Sequence, residues 1–156
     1  MTFSEPIILG RTGLKVGRLG LASGYGAPAE AFEEGFERGC NYWTWGTVIK
    51  GRSKHMLKAI RSLVAKGQRD KLVLAMFTYA HSAYFTEKLL QKGLRAAGLD
   101  HTDLLILGYF SKTPPRRVVE GALKLKEKGL VRFIGLSSHN RKLVAKLAAE
   151  GVIDAF

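Results

Sequence analysis

Cysteine occurs once in the 156 residues, at Cys40, so no internal disulfide forms and no cysteine cluster offers a zinc site. No apolar run approaches the roughly 18 residues of a membrane-spanning helix. The opening Met1-Thr2-Phe3-Ser4-Glu5-Pro6 lacks both the basic start and the apolar core of a secretory signal. These absences set the expectation of a cytoplasmic chain. No linker or low-complexity stretch interrupts the sequence, which reads as one domain over residues 1–156. Acid is scarce: 13 Asp and Glu against 25 Lys and Arg leave a net charge of +12. Basic chains often meet nucleic acid. Here the cations stand singly or at helical spacing (Lys50, Arg52 and Lys54; Lys124, Lys126 and Lys128), which is the pattern of solvated faces. Nucleic-acid binding is therefore the weakest functional reading. With 46% hydrophobic residues the chain has ample material for a core, which excludes a disordered tail. No His/Asp/Glu spacing suggests a metal, and neither Gly-x-Ser-x-Gly nor a Lys-containing phosphate loop occurs.

What is present is alternation. Apolar runs at residues 19–23, 42–45, 72–77, 104–107 and 131–136 lack strict polar alternation, as strands buried on both faces do. A sixth begins at Val152-Ile153-Asp154-Ala155-Phe156. Between them, helix-patterned segments 29–38, 53–65, 86–97, 114–128 and 140–150 each run into a glycine. Ser53, Thr86 and Asn140 are the expected caps. Strand-to-strand intervals of about 30 residues fit βαβ units. Ile7 to Val16, with Arg11-Thr12-Gly13 at its turn, reads as a β-hairpin set before the sheet. A doubly wound sheet and a (β/α)₈ barrel both satisfy this order. The first junction, Gly20-Leu21-Ala22-Ser23-Gly24-Tyr25-Gly26, lacks the full dinucleotide fingerprint, which disfavours the former.

The stretches Gly10-Arg11-Thr12-Gly13-Leu14-Lys15-Val16-x-x-Leu19-Gly20-Leu21 and Phe36-Glu37-Arg38-Gly39-Cys40-Asn41-Tyr42-Trp43 resemble the opening of the aldo/keto reductases. So do Gly98-Leu99-Asp100-x-Thr102-Asp103-Leu104-Leu105 and, most specifically, Gly129-Leu130-Val131-Arg132-Phe133-Ile134-Gly135-Leu136-Ser137-Ser138-His139-Asn140. The resemblance implies a (β/α)₈ TIM barrel, present as an incomplete N-terminal portion of about five βα units plus a sixth strand, preceded by the hairpin. A closed barrel needs eight strands, so the C-terminal half or a partner is expected to complete it.

The family reduces carbonyls with hydride from a nicotinamide, using an aspartate, a tyrosine acid, a lysine and a histidine. Carried onto this sequence, those positions hold Thr44, Ile49, Phe77 and Gly108, none of which supplies the usual group. A tuned acid contributes about 10²–10⁴ in rate, so standard carbonyl reduction is not expected. Tyr109 and His81, just beyond strand ends, are the candidate proton donors for altered chemistry, with Lys112 nearby. By resemblance Ser137 and Ser138 would meet the carboxamide of NADP(H), and Gly20 and Ser23 would form the cofactor's edge. Asn140 reads as a helix cap, Trp43 and Trp45 as barrel packing, and Cys40 as a small buried residue. The leading reading is an oxidoreductase-family protein linked to NADP(H) and a small carbonyl substrate. The rival is a catalytically inactive barrel serving as a cofactor-sensing or protein-interaction module.

Overall fold

A computed structural model describes residues 5–46 and 53–156. Ile49, expected at the tyrosine position, lies outside the described residues.

The hairpin pairs β1 (Ile7–Ile8) with β2 (Lys15–Val16) in antiparallel register, Ile7 opposite Val16. Five parallel strands follow in spatial order: β3 (Gly20–Ala22), β4 (Tyr42–Gly46), β5 (Val73–Thr78), β6 (Thr102–Leu107) and β7 (Val131–Leu136). The helices are α1 (Ala29–Glu37), α2 (Lys54–Ala65), α3 (Ala83–Ala97), α4 (Arg116–Glu127) and α5 (Arg141–Glu150). Sequential strands that neighbour one another and stay parallel, each followed by a helix, form an incomplete (β/α)₈ barrel.

Two apolar layers result, because side chains alternate across each strand. Outward residues such as Trp43, Leu74, Leu105 and Ile134 pack under the helices with Phe32, Ile60, Leu94 and Leu125. Trp43 is fully buried, its ring centroid 5.7 Å from Phe32 and 6.1 Å from Phe36, and its indole N–H donates to the Cys40 carbonyl at 2.8 Å. Trp45 is buried in the same layer, so both tryptophans are packing residues. Inward residues Val73, Ala75, Leu104 and Ile106 form the second layer, closed below by Val16, Leu9 and Leu14 of the hairpin segment.

Several boundaries differ from the sequence reading. Helix α3 begins three residues before Thr86, which sits buried inside its first turns. The earlier start is held by packing: a Cβ on Gly121 of α4 would come within 2.5 Å of the Ala83 methyl, so two small residues let the helices touch there. Ser53 makes no side-chain cap bond to α2, whereas the Asn140 side-chain Oδ1 accepts from Leu143 N at 3.1 Å, as a cap should. Strand β6 starts at Thr102 and includes a buried aspartate, Asp103. Its carboxylate accepts from Leu74 N at 2.9 Å, Arg69 at 2.9 Å and Arg132 at 2.7 Å, which makes a charge tolerable inside a sheet. The expected sixth strand is realised as a single parallel bridge, Gly135 with Ala155. Cys40 is half-buried rather than buried.

Candidate functional site

In a parallel β/α sheet the segments after each strand gather at the strands' C-terminal ends, the edge where such folds place their chemistry. Three expected tetrad positions fall on the inner face there. The Thr44 hydroxyl donates to the Leu21 carbonyl at 3.3 Å. Phe77 stands opposite Gly46 and Ile106. Gly108 follows β6, its amide donating to Thr78 O at 2.8 Å. A Cβ on Gly108 would lie 2.8 Å from Phe77 Cε1, so the phenyl ring fills the room that a side chain at 108 would need. Of these three described positions, one carries a hydroxyl bonded to backbone, one a phenyl ring and one no side chain.

From Phe77 a series of rings runs across three strand ends. Phe77 and Tyr79 centroids are 5.4 Å apart, Tyr79 and Tyr109 5.5 Å, and Tyr109 and His139 5.4 Å, the last two pairs stacked. Such offset pairs each contribute about 0.5–1.5 kcal/mol beyond area burial. Burial, then the neighbouring Tyr109, pushes the Tyr79 hydroxyl above its ordinary range. His81 stands apart from this series, stacked 4.5 Å from Phe110. Thus Tyr109 joins the ring series and His81 does not. Lys112 is exposed on the loop that follows.

Two cavities flank Phe77. One, about 320 Å³, is bounded by Ser23, Tyr25, Thr44, Phe77, Tyr79 and Tyr109. The other, about 430 Å³, has Tyr42, Phe77, Ile106, Ser137 and Ser138 on its walls. Both volumes are in the range of small-ligand sites. Ser137 is half-buried and its hydroxyl has no hydrogen-bond partner among the described residues. The Ser138 hydroxyl is already engaged, donating to Phe110 O at 2.6 Å and accepting from Asn140 N at 3.0 Å. Ser23 is buried and accepts from Gly46 N at 3.2 Å, on the side of the other cavity. Gly20, expected at a strand end, begins β3 instead. A Cβ there would strike the Tyr42 ring at 2.9 Å, so the glycine makes room for that tyrosine. Burial pushes the Tyr42 hydroxyl up. Among the described residues no group of three or more His, Cys, Asp or Glu is arranged to hold a metal ion. Nor is any described helix long and apolar enough to cross a membrane.

No protein-family model and no curated protein matches the sequence. Solved structures do match. An aldo-keto reductase from Bacillus halodurans, in its holo form, superposes with a TM-score of 0.78 at 20% identity, over 91% of this chain and 53% of the other. The chain has the fold of the aldo-keto reductases. A Bombyx mori aldo-keto reductase in complex with NADP gives 0.75 at 21% identity, over 96% of this chain and 55% of that one. One from Brucella melitensis gives 0.72 at 22%, over 96% and 60%. The chain thus spans between half and two thirds of the length of these aldo-keto reductase structures, and at such identities the likeness is one of fold. Within that fold the ring series went unnoticed in the sequence, since Tyr79, Tyr109 and His139 are about 30 residues apart and meet only through the βαβ repeat.

Proposed function

We propose that this protein binds NADP(H) at the C-terminal edge of its sheet and does not reduce carbonyls through the acid–base tetrad typical of aldo/keto reductases. The observation that carries this reading is the Phe77 ring packed over Gly108, beside a Thr44 hydroxyl bonded to Leu21 O. Where a lysine and a substrate-orienting imidazole are expected stand a phenyl ring and a glycine, neither of which can hold or move a proton.

For the cofactor, the fit rests on Ser137, which has no side-chain hydrogen-bond partner among the described residues and lines a cavity roomy enough for a nicotinamide ring. Ser138, with its O–H committed to Phe110 O, offers only a remaining lone pair. Ser23 and the backbone around Gly24 border the neighbouring cavity. Bound NADP(H) would supply hydride transfer. The chain's own part is to orient the carboxamide through Ser137 and to present the face of Phe77.

Calorimetric titration of the complete protein with NADPH tests the reading. Saturable binding is expected, weakened about threefold to tenfold by Ser137→Ala, the worth of one hydrogen bond. Absence of binding by the folded protein overturns the cofactor assignment. NADPH oxidation that depends on an added aldehyde and is lost in Tyr109→Phe would overturn the non-catalytic part, and would make Tyr109 a proton donor.

A further inference from the structure

At the other end of the sheet, where β4 and β5 begin, a cavity of about 410 Å³ opens between the hairpin, the C-terminal end of α1 and the turn after α2. Asn41 assembles it. Its Nδ2 donates to Lys15 O and to Lys71 O, each at 3.2 Å, and its Oδ1 accepts from Gly17 N at 2.9 Å. Two lysines far apart in sequence are thus tied to one side-chain amide. A Cβ on Gly17 would run into the Gly39 carbonyl oxygen, so two glycines let the hairpin close on the end of α1. The walls are held before any ligand arrives, which lowers the ordering cost of binding.

The lining carries both signs of charge: Lys15 and Lys71, and Glu37 at the last position of α1. Among the described residues none of the three enters an ion pair, with one another or with any other group. The charges around them are taken. Arg38 is paired with Glu34 at 2.6 Å and Arg18 with Glu5 at 3.8 Å, while Lys66, although it feels the field of Glu37, is bonded to Glu33. The last turn of α1 holds no basic residue, so the negative pole of the helix adds to Glu37. A simple anion would be opposed by Glu37 and that pole, and a simple cation by two ammonium groups. A molecule bearing both charges satisfies each side. Phe36 and the buried Val16 supply an apolar part of the lining, and the volume is in the range of small-ligand sites.

We infer that this cavity is a binding site for a free α-amino acid with an apolar side chain, its carboxylate accepting from Lys15 and Lys71, its ammonium donating to Glu37 and its side chain lying on Val16 and Phe36. The site is at the opposite end of the sheet from the dinucleotide cavity at Ser137 and does not rest on the proposed function.

The complete protein is titrated, without dinucleotide, with L-leucine and L-phenylalanine. Three controls each lack one feature: glycine the apolar side chain, N-acetyl-L-phenylalanine the ammonium, and L-phenylalaninamide the carboxylate. At least one of the two amino acids should bind saturably, and every control should bind at least about threefold more weakly, having lost one apolar or charge-assisted contact. Glu37→Gln should weaken the amino acid about threefold to tenfold while N-acetyl-L-phenylalanine binds no worse than before. Lys71→Gln should weaken the amino acid while L-phenylalaninamide binds no worse. Glu37 and Lys71 are exposed, and unchanged urea midpoints would establish that the variants remain folded. Absence of saturable binding by both amino acids, equal binding of any control, or indifference to either substitution overturns the proposal. An equal loss in Ser137→Ala overturns the location. Amino-acid binding without any NADPH binding leaves this site standing and removes only the cofactor assignment.

Discussion

Phe77 and Gly108 occupy one space between them. A Cβ at 108 would lie 2.8 Å from Phe77 Cε1, 3.0 Å from Cδ1 and 3.0 Å from the Thr78 carbonyl oxygen. Gly108→Ala should therefore cost about 1–3 kcal/mol, the usual penalty of overpacking. Shrinking the ring in Phe77→Leu should recover part of that loss. Urea denaturation of both single variants and the double variant forms the cycle. A coupling of at least ~0.5 kcal/mol in the recovering direction is expected, since the groups touch. Additive single effects would mean that the Thr78 carbonyl, not the ring, limits position 108.

Asp103 is the most consequential charge in the sheet. Removing it in Asp103→Ala strands two guanidinium groups and the Leu74 amide, and should cost about 3–5 kcal/mol. Asp103→Asn keeps an acceptor and the volume, so its urea midpoint should fall between that of Asp103→Ala and the parent.

Asn41 ties the hairpin end to the sheet. Its Oδ1 accepts from Gly17 N at 2.9 Å, while Nδ2 donates to Lys15 O and Lys71 O, each at 3.2 Å. Asn41→Ala should destabilise by about 1–3 kcal/mol, because the buried Gly17 amide loses its partner. Asn41→Asp should rescue only in part, since a carboxylate accepts from Gly17 but cannot donate to either carbonyl.

Tyr42 gives the stability curve an alkaline limb. Burial raises its hydroxyl above the ordinary value in the folded chain, so folding favours the neutral phenol. The contribution is fully present below the unfolded value of about 10 and is lost as pH rises through the higher folded value. Urea midpoints measured from pH 8 to 11 should decline less steeply for Tyr42→Phe than for the parent. An identical decline would assign the limb to other groups.

The hairpin, the five parallel strands and the glycine-stopped helices were readable because each rests on a local pattern: a turn, an apolar run, a cap. Where tertiary contact overrode local preference, the reading failed. Tyr84 and Phe85 do not look like a helix start, yet Ala83 against Gly121 extends α3 back through them. Asp103 does not look like strand, yet two arginines reach it from β7 and the turn before β5. Thr44, Phe77 and Gly108 were expected at tetrad positions from the spacing along the strands and the family resemblance. The stacking of Tyr79, Tyr109 and His139 was not, because no local rule links residues on three separate loops.

Asp154 joins the edge of the sheet to its floor. Its carboxylate accepts from Ile134 N at 2.8 Å and from Lys126 at 3.0 Å, its amide donates to Ile134 O at 2.8 Å, and its carbonyl accepts from Arg11 N at 2.9 Å. The Arg11 amide in the hairpin turn and the Ile134 amide in β7 are thereby protected by one residue, though more than a hundred positions separate them. Their deuterium uptake should be governed by a single opening event, and Asp154→Ala should speed exchange at both while leaving the Leu105 amide, deep in β6, unchanged.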